Sequence, residues 1–366
     1  MIHIPERINK LTTYKAGKSI DELAREKGLT KIVKLASNEN PLGPSPKAVQ
    51  SVIDNVGSIN RYGDPGAFEV VTALAQKYNK PFDSLFVASG SDAILQYIIM
   101  VLTDENDYLL SSQGSFIGWY VNANKLGRKS INIPLTTDYK LDLSSMAEHI
   151  NDKIKLIYLA NPNNPTGTYF TKRQFEDFLH KIPENIVVIL DEAYTLYAED
   201  KSDYPNGLDY DYPNLVVLRT MSKSYGMAGL RMGFAYGHPD LISAIKKGRM
   251  PFEPNTLASH AAIAALEDDE FLTLTGNLNK ISLSMLRNAL DKLGIKYTDS
   301  AANFLLMIFE TSEKAKRFNR ECLDRGLILR YVDSFGIPTG IRINSGTVEE
   351  TEFAIDIMTQ VDSLLN

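Results

Sequence analysis

The sequence predicts an α/β fold: a mostly parallel central sheet covered by helices on both faces, followed by a smaller α+β C-terminal domain. Three observations predict it. Short runs that are apolar throughout recur over 84–220, as expected of strands buried on both faces. Helical stretches of ten or so residues separate them, the spacing of crossover connections between parallel strands. From about residue 260 the alternation gives way to long helices and a few short strands.

The elements follow in chain order. Residues 19–27 hold one helical patch, and LASNENPLGPSP (35–46) is an extended, turn-rich stretch. Ser45 followed by Pro46 is a helix N-cap with proline at the first helical position. Val49, Val52, Ile53 and Val56 continue it, and Phe68, Val71, Leu74, Ala75 and Tyr78 mark a second amphipathic helix. Strands are expected at 84–89, 107–112, 129–135, 155–160, 186–190 and 214–220. Helices are expected at 92–102, 116–126 and 143–150, and Thr171 with Gln174 forms a capping box for another. Further on, helices are expected at 261–266, 272–293, 315–325 and 348–365, with strands at 303–310 and in LILRYV and GIRINS. The expected divisions are an N-terminal arm and small-domain segment (1–35), a large domain (36–255) and a small C-terminal domain (256–366).

Composition excludes several classes. The net charge of −6 lacks the basic footprint of a nucleic-acid binder or a polybasic membrane anchor. A single cysteine, Cys322, excludes an intrachain disulfide framework, and five histidines without a CxxC pair give no zinc signature. Residues 1–10 are polar with no apolar signal core, and the longest apolar run, 94–102, is too short to span a bilayer. The expectation is a cytoplasmic enzyme with no metal.

In open parallel sheets, ligands bind beyond the carboxyl ends of the strands. Four polar groups directly follow buried strands: Ser89-Gly90-Ser91-Asp92, Asn164-Pro165-Thr166-Gly167, Asp191-Glu192-Ala193-Tyr194, and Ser222-Lys223 with Arg231. Gly90-Ser91 is either an ordinary cap or a helix N-terminus that takes a phosphate. Asp191 is either a solvated strand end or a carboxylate that keeps a ring nitrogen protonated. Lys223 is either a surface lysine or a desolvated amine with nucleophilic character. Arg342, between Ile341 and Ile343, is either a solvated edge residue or a carboxylate clamp.

SKSYGMAGLRMG resembles the lysine segment of fold-type I, class I/II pyridoxal-phosphate (PLP) aminotransferases, and NPNNPTG and DEAY resemble the group's two other signatures, in the right order. LTTYKAGKSIDELAREKG, LASNENPLGPSPKA, INRYGDP, GLILR and GIRINSGT look like the histidinol-phosphate aminotransferase subgroup. The likeness runs from about Leu11 to Phe353.

The resemblance implies a three-layer PLP-transferase large domain and pyridoxal 5′-phosphate as cofactor. It implies Lys223 as the Schiff-base lysine, Asp191 on the pyridinium nitrogen, and Asn164 and Tyr194 on the ring oxygen. Phe116 would stack on the ring, while Ser91, Asp92, Ser222 and Arg231 would cup the phosphate. Tyr62 would reach the partner subunit's cofactor, in a homodimer with shared sites. Arg342 would clamp the substrate carboxylate, and Arg330, Tyr14 and Asn40 would serve the rest of the substrate. The implied reaction is transamination of histidinol phosphate with 2-oxoglutarate. The same scaffold also serves aromatic amino-acid aminotransferases. A non-catalytic PLP-binding regulator is disfavoured by the acidic charge. One departure bears on substrate: Glu253 stands where the subgroup tends to carry asparagine, and in the distal pocket it would repel a phosphate.

Overall fold

The computed structural model describes residues 2, 4–9, 11 and 18–365. Thirteen strands form three sheets among the described residues. In chain order they are β1 (Val33–Lys34), β2 (Leu85–Ala88), β3 (Tyr108–Ser112), β4 (Lys129–Ile133), β5 (Ile154–Ala160), β6 (Val187–Asp191) and β7 (Leu215–Thr220). Then come β8 (Gly233–Gly237), β9 (Lys296–Tyr297), β10 (Phe304–Ile308), β11 (Leu327–Ile328), β12 (Arg330–Tyr331) and β13 (Gly340–Asn344).

The seven-stranded sheet runs β2-β8-β7-β6-β5-β3-β4. Every pairing from β7 to β4 is parallel, and only β8 runs antiparallel to its neighbours. β8 is missing from the strands expected above. Its GFAYG segment carries two glycines and so gives little strand signal.

Alternation along the central strands divides the large core in two. Leu156, Tyr158, Ile189, Val216 and Leu218 pack on one face against Ile94, Leu95, Ile98 and Trp119. Ile157, Leu159, Val188, Leu190 and Val217 pack on the other against Phe175 and Phe178. This is the three-layer architecture expected from doubly buried strands. The capping signals also form: the Ser45 side chain accepts from Ala48 N–H with Pro46 at the helix start, and Thr171 and Gln174 cap reciprocally.

The smaller body is a four-stranded antiparallel sheet, β12-β13-β10-β9, packed by helices Ser312–Asp324 and Val348–Leu365. β1 joins it by pairing parallel with β11, so residues 20–35 pack with the C-terminal body. Helix Thr256–Leu266, in contrast, buries Ala258, Ala261, Ala262 and Ala265 against Ala48, Val70 and Leu85 of the large body. The change of core therefore falls within helix Asp269–Leu293, whose Leu283, Leu286 and Leu290 enter the small core, rather than at residue 255. An alanine face at helical spacing suits both cores, which is why sequence alone does not place that boundary.

Candidate active site

The strand ends converge on a cavity of about 220 Å³ between the two bodies. Parallel β5, β6 and β7 end side by side, with Ala160 opposite Asp191 and Asp191 opposite Leu218 in register. The turns after them must then share one edge. β12 and β13 close the cavity from the other side with Arg330 and Arg342.

One end of the cavity is built for an anion. Helix Ser91–Leu102 starts here, its free N–H groups and dipole favouring negative charge. Gly90, its N-cap, has φ 90, and a Cβ there would lie 2.8 Å from Arg231 Nη2. A Cβ on Gly233 would lie 2.5 Å from the Ser91 nitrogen. Both glycines let backbone and guanidinium approach one space. Arg231, in left-handed conformation, turns its guanidinium toward Ser222 Oγ at 3.5 Å and Ala228 O at 3.1 Å. The Asp92 carboxylate is held by Asn122 Nδ2 at 3.0 Å, which leaves its backbone N–H to the helix start.

Asp191 is 5% exposed. Tyr158 Oη donates to one carboxylate oxygen at 2.8 Å and the Ala193 N–H to the other at 3.1 Å. Burial is the largest influence and raises its pKa to about 6, while those two donors pull it down. Glu192 points to the opposite side and forms a buried pair with Arg219, 2.8 Å apart. One DEAY motif thus supplies an acid to the cavity and an acid to the frame.

Lys223 donates to Ser37 O at 3.2 Å, with its ammonium 6.0 Å from the centre of the Tyr194 ring. Burial lowers its pKa to about 8, helped by the nearby cations Arg342 and Arg231 and opposed by Glu39. A minor but useful fraction, roughly a tenth at pH 7, is then neutral amine, the form that attacks a carbonyl, far more than for an ordinary lysine. The surface-lysine alternative is excluded.

Arg342 is also not an edge residue. β13 lies inside its sheet, and Arg342 is 5% exposed, bonded to Asn164 Oδ1 and to the Ala36 carbonyl at 2.6 Å. Its Ile-Arg-Ile setting alternates away from the small core, and what lies there is the cavity rather than solvent. Arg330 is its cross-strand partner. Like charges directly opposite on paired strands are unfavourable without an anion between them.

Ser91, Asp92, Phe116, Asn164, Asp191, Tyr194, Ser222, Lys223, Arg231, Arg330 and Arg342 all line this one cavity. Asn40 does not: it is buried and bonds Ser224 O at 2.9 Å and Thr275 Oγ1 at 3.0 Å, tying the segment after Lys223 to helix Asp269–Leu293. Tyr62 is 82% exposed and stacks on Phe252, with ring centres 4.3 Å apart, outside its own cavity. Tyr14 lies outside the described residues. Glu253 is not on the cavity wall either; Tyr97 Oη donates to its carboxylate at 2.8 Å. Within one subunit it does not confront a substrate phosphate. Among the lining residues that escaped the sequence reading are Tyr158 and Asn38. Tyr158 lies mid-run in an apolar strand, where a tyrosine reads as core, and only its period-2 relation to Ala160 sets it on the cavity side.

The sequence pattern described as aminotransferase class I and II matches residues 30–357. The chain is 39% identical to histidinol-phosphate aminotransferase 2 of Carboxydothermus hydrogenoformans, over 99% of this chain and 100% of that protein. It is 37% identical to histidinol-phosphate aminotransferase 1 of Nitrosococcus oceani, over 97% and 95%. In fold it matches the histidinol-phosphate aminotransferase of Sinorhizobium meliloti solved in complex with pyridoxal-5′-phosphate, with TM-score 0.92 and 24% identity over 100% of this chain and 99% of that one. An aspartate aminotransferase of Thermus thermophilus gives TM-score 0.86 at 20% identity over 99% and 100%. A match from residue 30 to 357 takes in every strand end that builds the cavity, and the chain belongs to the class I and II aminotransferases, a PLP-dependent family.

Proposed function

We propose that this chain transfers the amino group of histidinol phosphate to 2-oxoglutarate, with the residues above holding pyridoxal 5′-phosphate. Each part of that cofactor meets a matching group. The phosphate suits the glycine-lined helix start with Arg231 and Ser222. The ring nitrogen suits the enclosed Asp191 carboxylate, the ring oxygen suits Tyr194 and Asn164, and Phe116 covers a face. When bound, the cofactor supplies an aldehyde that takes up amino groups and a ring that accepts electrons from the adjacent carbon.

The protein does the rest. Lys223 would hold the cofactor and, as a free amine beside the substrate, would take the proton from the substrate Cα. Asp191 would pair with the cofactor's ring nitrogen and, as an anion, would favour that nitrogen's protonated form. Tyr194 donates to the ring oxygen. Arg342 and Arg330 hold the anionic ends of the substrate.

The observation that carries the substrate is the Arg330–Arg342 cross-strand pair. A phosphomonoester donor and a dicarboxylate acceptor both bring anionic groups of the kind that guanidinium groups on a cavity wall bind. Relatives named histidinol-phosphate aminotransferase over almost the whole chain support the same reading. The test compares turnover of histidinol phosphate with phenylalanine and tyrosine, using 2-oxoglutarate as acceptor. Preference for either aromatic amino acid would overturn it.

Assembly as a homodimer belongs to this proposal. Val49, Ile53, Ile59 and Tyr62 are exposed on one side of the large body, beside an apolar groove of about 330 Å³ that includes Val52, Met227 and Leu230. Apolar area of this kind marks an association surface, and Tyr62 on it would reach the partner's phosphate site. Residues 20–35 would move with the C-terminal core. No described helix is long and apolar enough to cross a membrane, and a cytoplasmic setting is part of the proposal.

A further inference from the structure

Asn38 lies where the two bodies meet. It is 1% exposed and has φ 55, a left-handed conformation that asparagine tolerates. The small body holds its backbone: its N–H donates to Asn344 Oδ1 at 3.0 Å, and its carbonyl accepts from Asn303 Nδ2 at 3.2 Å. Its side chain faces the large body, where Nδ2 donates to Tyr194 Oη at 2.8 Å. The other amide atom, Oδ1, is enclosed and has no protein partner, so the Tyr194 bond is what orients the group.

A tyrosine hydroxyl has one proton to give and lone pairs to receive. Asn38 occupies the receiving side. Tyr194 must then aim its own proton elsewhere, and among the described residues no protein acceptor takes it. Tyr194 lines the cavity next to Lys223. The other ionisable groups acting on it are Arg342, Asp191, Tyr197 and Tyr158, whose own hydroxyl donates to Asp191. Arg342 is a donor only and cannot take the proton, and the Asp191 oxygens are already served by Tyr158 and Ala193.

We propose that Asn38 is a positioning residue: it directs the Tyr194 hydroxyl at the ring oxygen of the cofactor and ties that donor to the seating of the small body. The inference rests on the PLP reading above. Polarised by Asn38, Tyr194 is a stronger donor to the ring oxygen than it would be alone. That donation favours the deprotonated form of the nitrogen joining Lys223 to the cofactor and lowers the pH at which it titrates.

The test is the pH midpoint of the visible absorbance change in the cofactor-loaded protein. Asn38→Gly removes the amide and keeps the positive φ without steric conflict. It should move the midpoint up by on the order of half a pH unit, as fits the loss of one polarising neutral hydrogen bond. In a Tyr194→Phe background the same substitution should add nothing, because its effect runs through that hydroxyl. An unmoved midpoint, or an equal shift with and without the Tyr194 hydroxyl, would overturn the proposal. Asn38→Ala gives the same comparison if the glycine variant does not fold. A wild-type protein that develops no visible band with PLP would instead sink the cofactor reading, so the two failures are distinguishable.

Discussion

Tyr158→Phe isolates one hydrogen bond in the site. The phenylalanine ring keeps the stack on Trp119, whose ring centre lies 4.8 Å away at 12°, and removes only the hydroxyl that donates to Asp191 at 2.8 Å. A hydrogen bond to a charged group contributes about 1.5–3 kcal/mol and one to a neutral group about 1 kcal/mol. Losing it therefore disfavours the Asp191 carboxylate over the acid by about 0.5–2 kcal/mol, or roughly 0.4–1.5 pKa units. In the cofactor-free protein Asp191 stands at about 6, raised by burial from its ordinary value of 3.8. A folded pKa above the unfolded one means that the folded state holds the proton more tightly. The stability this gives is present below pH 3.8 and is lost as pH rises through about 6. The variant extends that loss to higher pH. Denaturant unfolding of cofactor-free protein should show Tyr158→Phe costing about 1 kcal/mol at pH 4.5 and about 1.5–3 kcal/mol at pH 8. Its PLP affinity should also fall more at pH 8 than a packing change explains. Equal destabilisation at both pH values would mean that Tyr158 only fills space, and would refute the reasoning.

Other substitutions test other parts. Lys223→Ala should abolish transamination and leave the protein without a covalent bond to PLP; a fully active variant in a steady-state assay would remove Lys223 from its role. Arg330→Ala should weaken binding of histidinol phosphate by about 2–3 kcal/mol, a 30- to 150-fold rise in KM with a smaller change in kcat, as expected for a lost charge-assisted contact. Unchanged kinetics would take Arg330 out of the substrate site. Gly233→Ala puts a methyl 2.5 Å from the Ser91 nitrogen, and should cost about 1–3 kcal/mol in unfolding experiments together with a lower PLP affinity. Ile53→Asp, on the exposed apolar side, should shift sedimentation toward monomer and weaken PLP retention; a monomeric wild type would refute the shared site.

Much of the large body is legible in sequence because its strands are buried on both faces. Runs such as 155–160 and 214–220 cannot be mistaken for amphipathic helix, and the polar residue after each falls where a parallel sheet places its ligands. Asp191 and Lys223 are found this way. The legible part ends where pairing is non-local. Nothing in GIRINS says that β13 lies between β12 and β10, so an arginine there reads equally as edge or clamp. Asn40 shows the same limit in reverse. It neighbours Asn38 within one motif, yet one asparagine faces Tyr194 and the other Thr275. The left-handed turn at Asn38 sends them apart, and a sequence does not display φ.

That turn also bears on why the cavity has two unlike halves. The strand ends of the large body hold the donors and acids for a planar ring, and their register is set by parallel pairing. Arg330 and Arg342, on the opposite wall of the cavity, come from antiparallel strands of the other core. Between them, Arg342 bonds Asn164 and the Ala36 carbonyl, while Asn344 and Asn303 grip Asn38. Every one of these links joins the small body either to a ring-facing residue or to the 36–38 segment. A shift of the small body would therefore reach Tyr194 and Asn164 as well as Arg330 and Arg342. The short stretch 36–38 is thus where the two walls of the cavity are tied together.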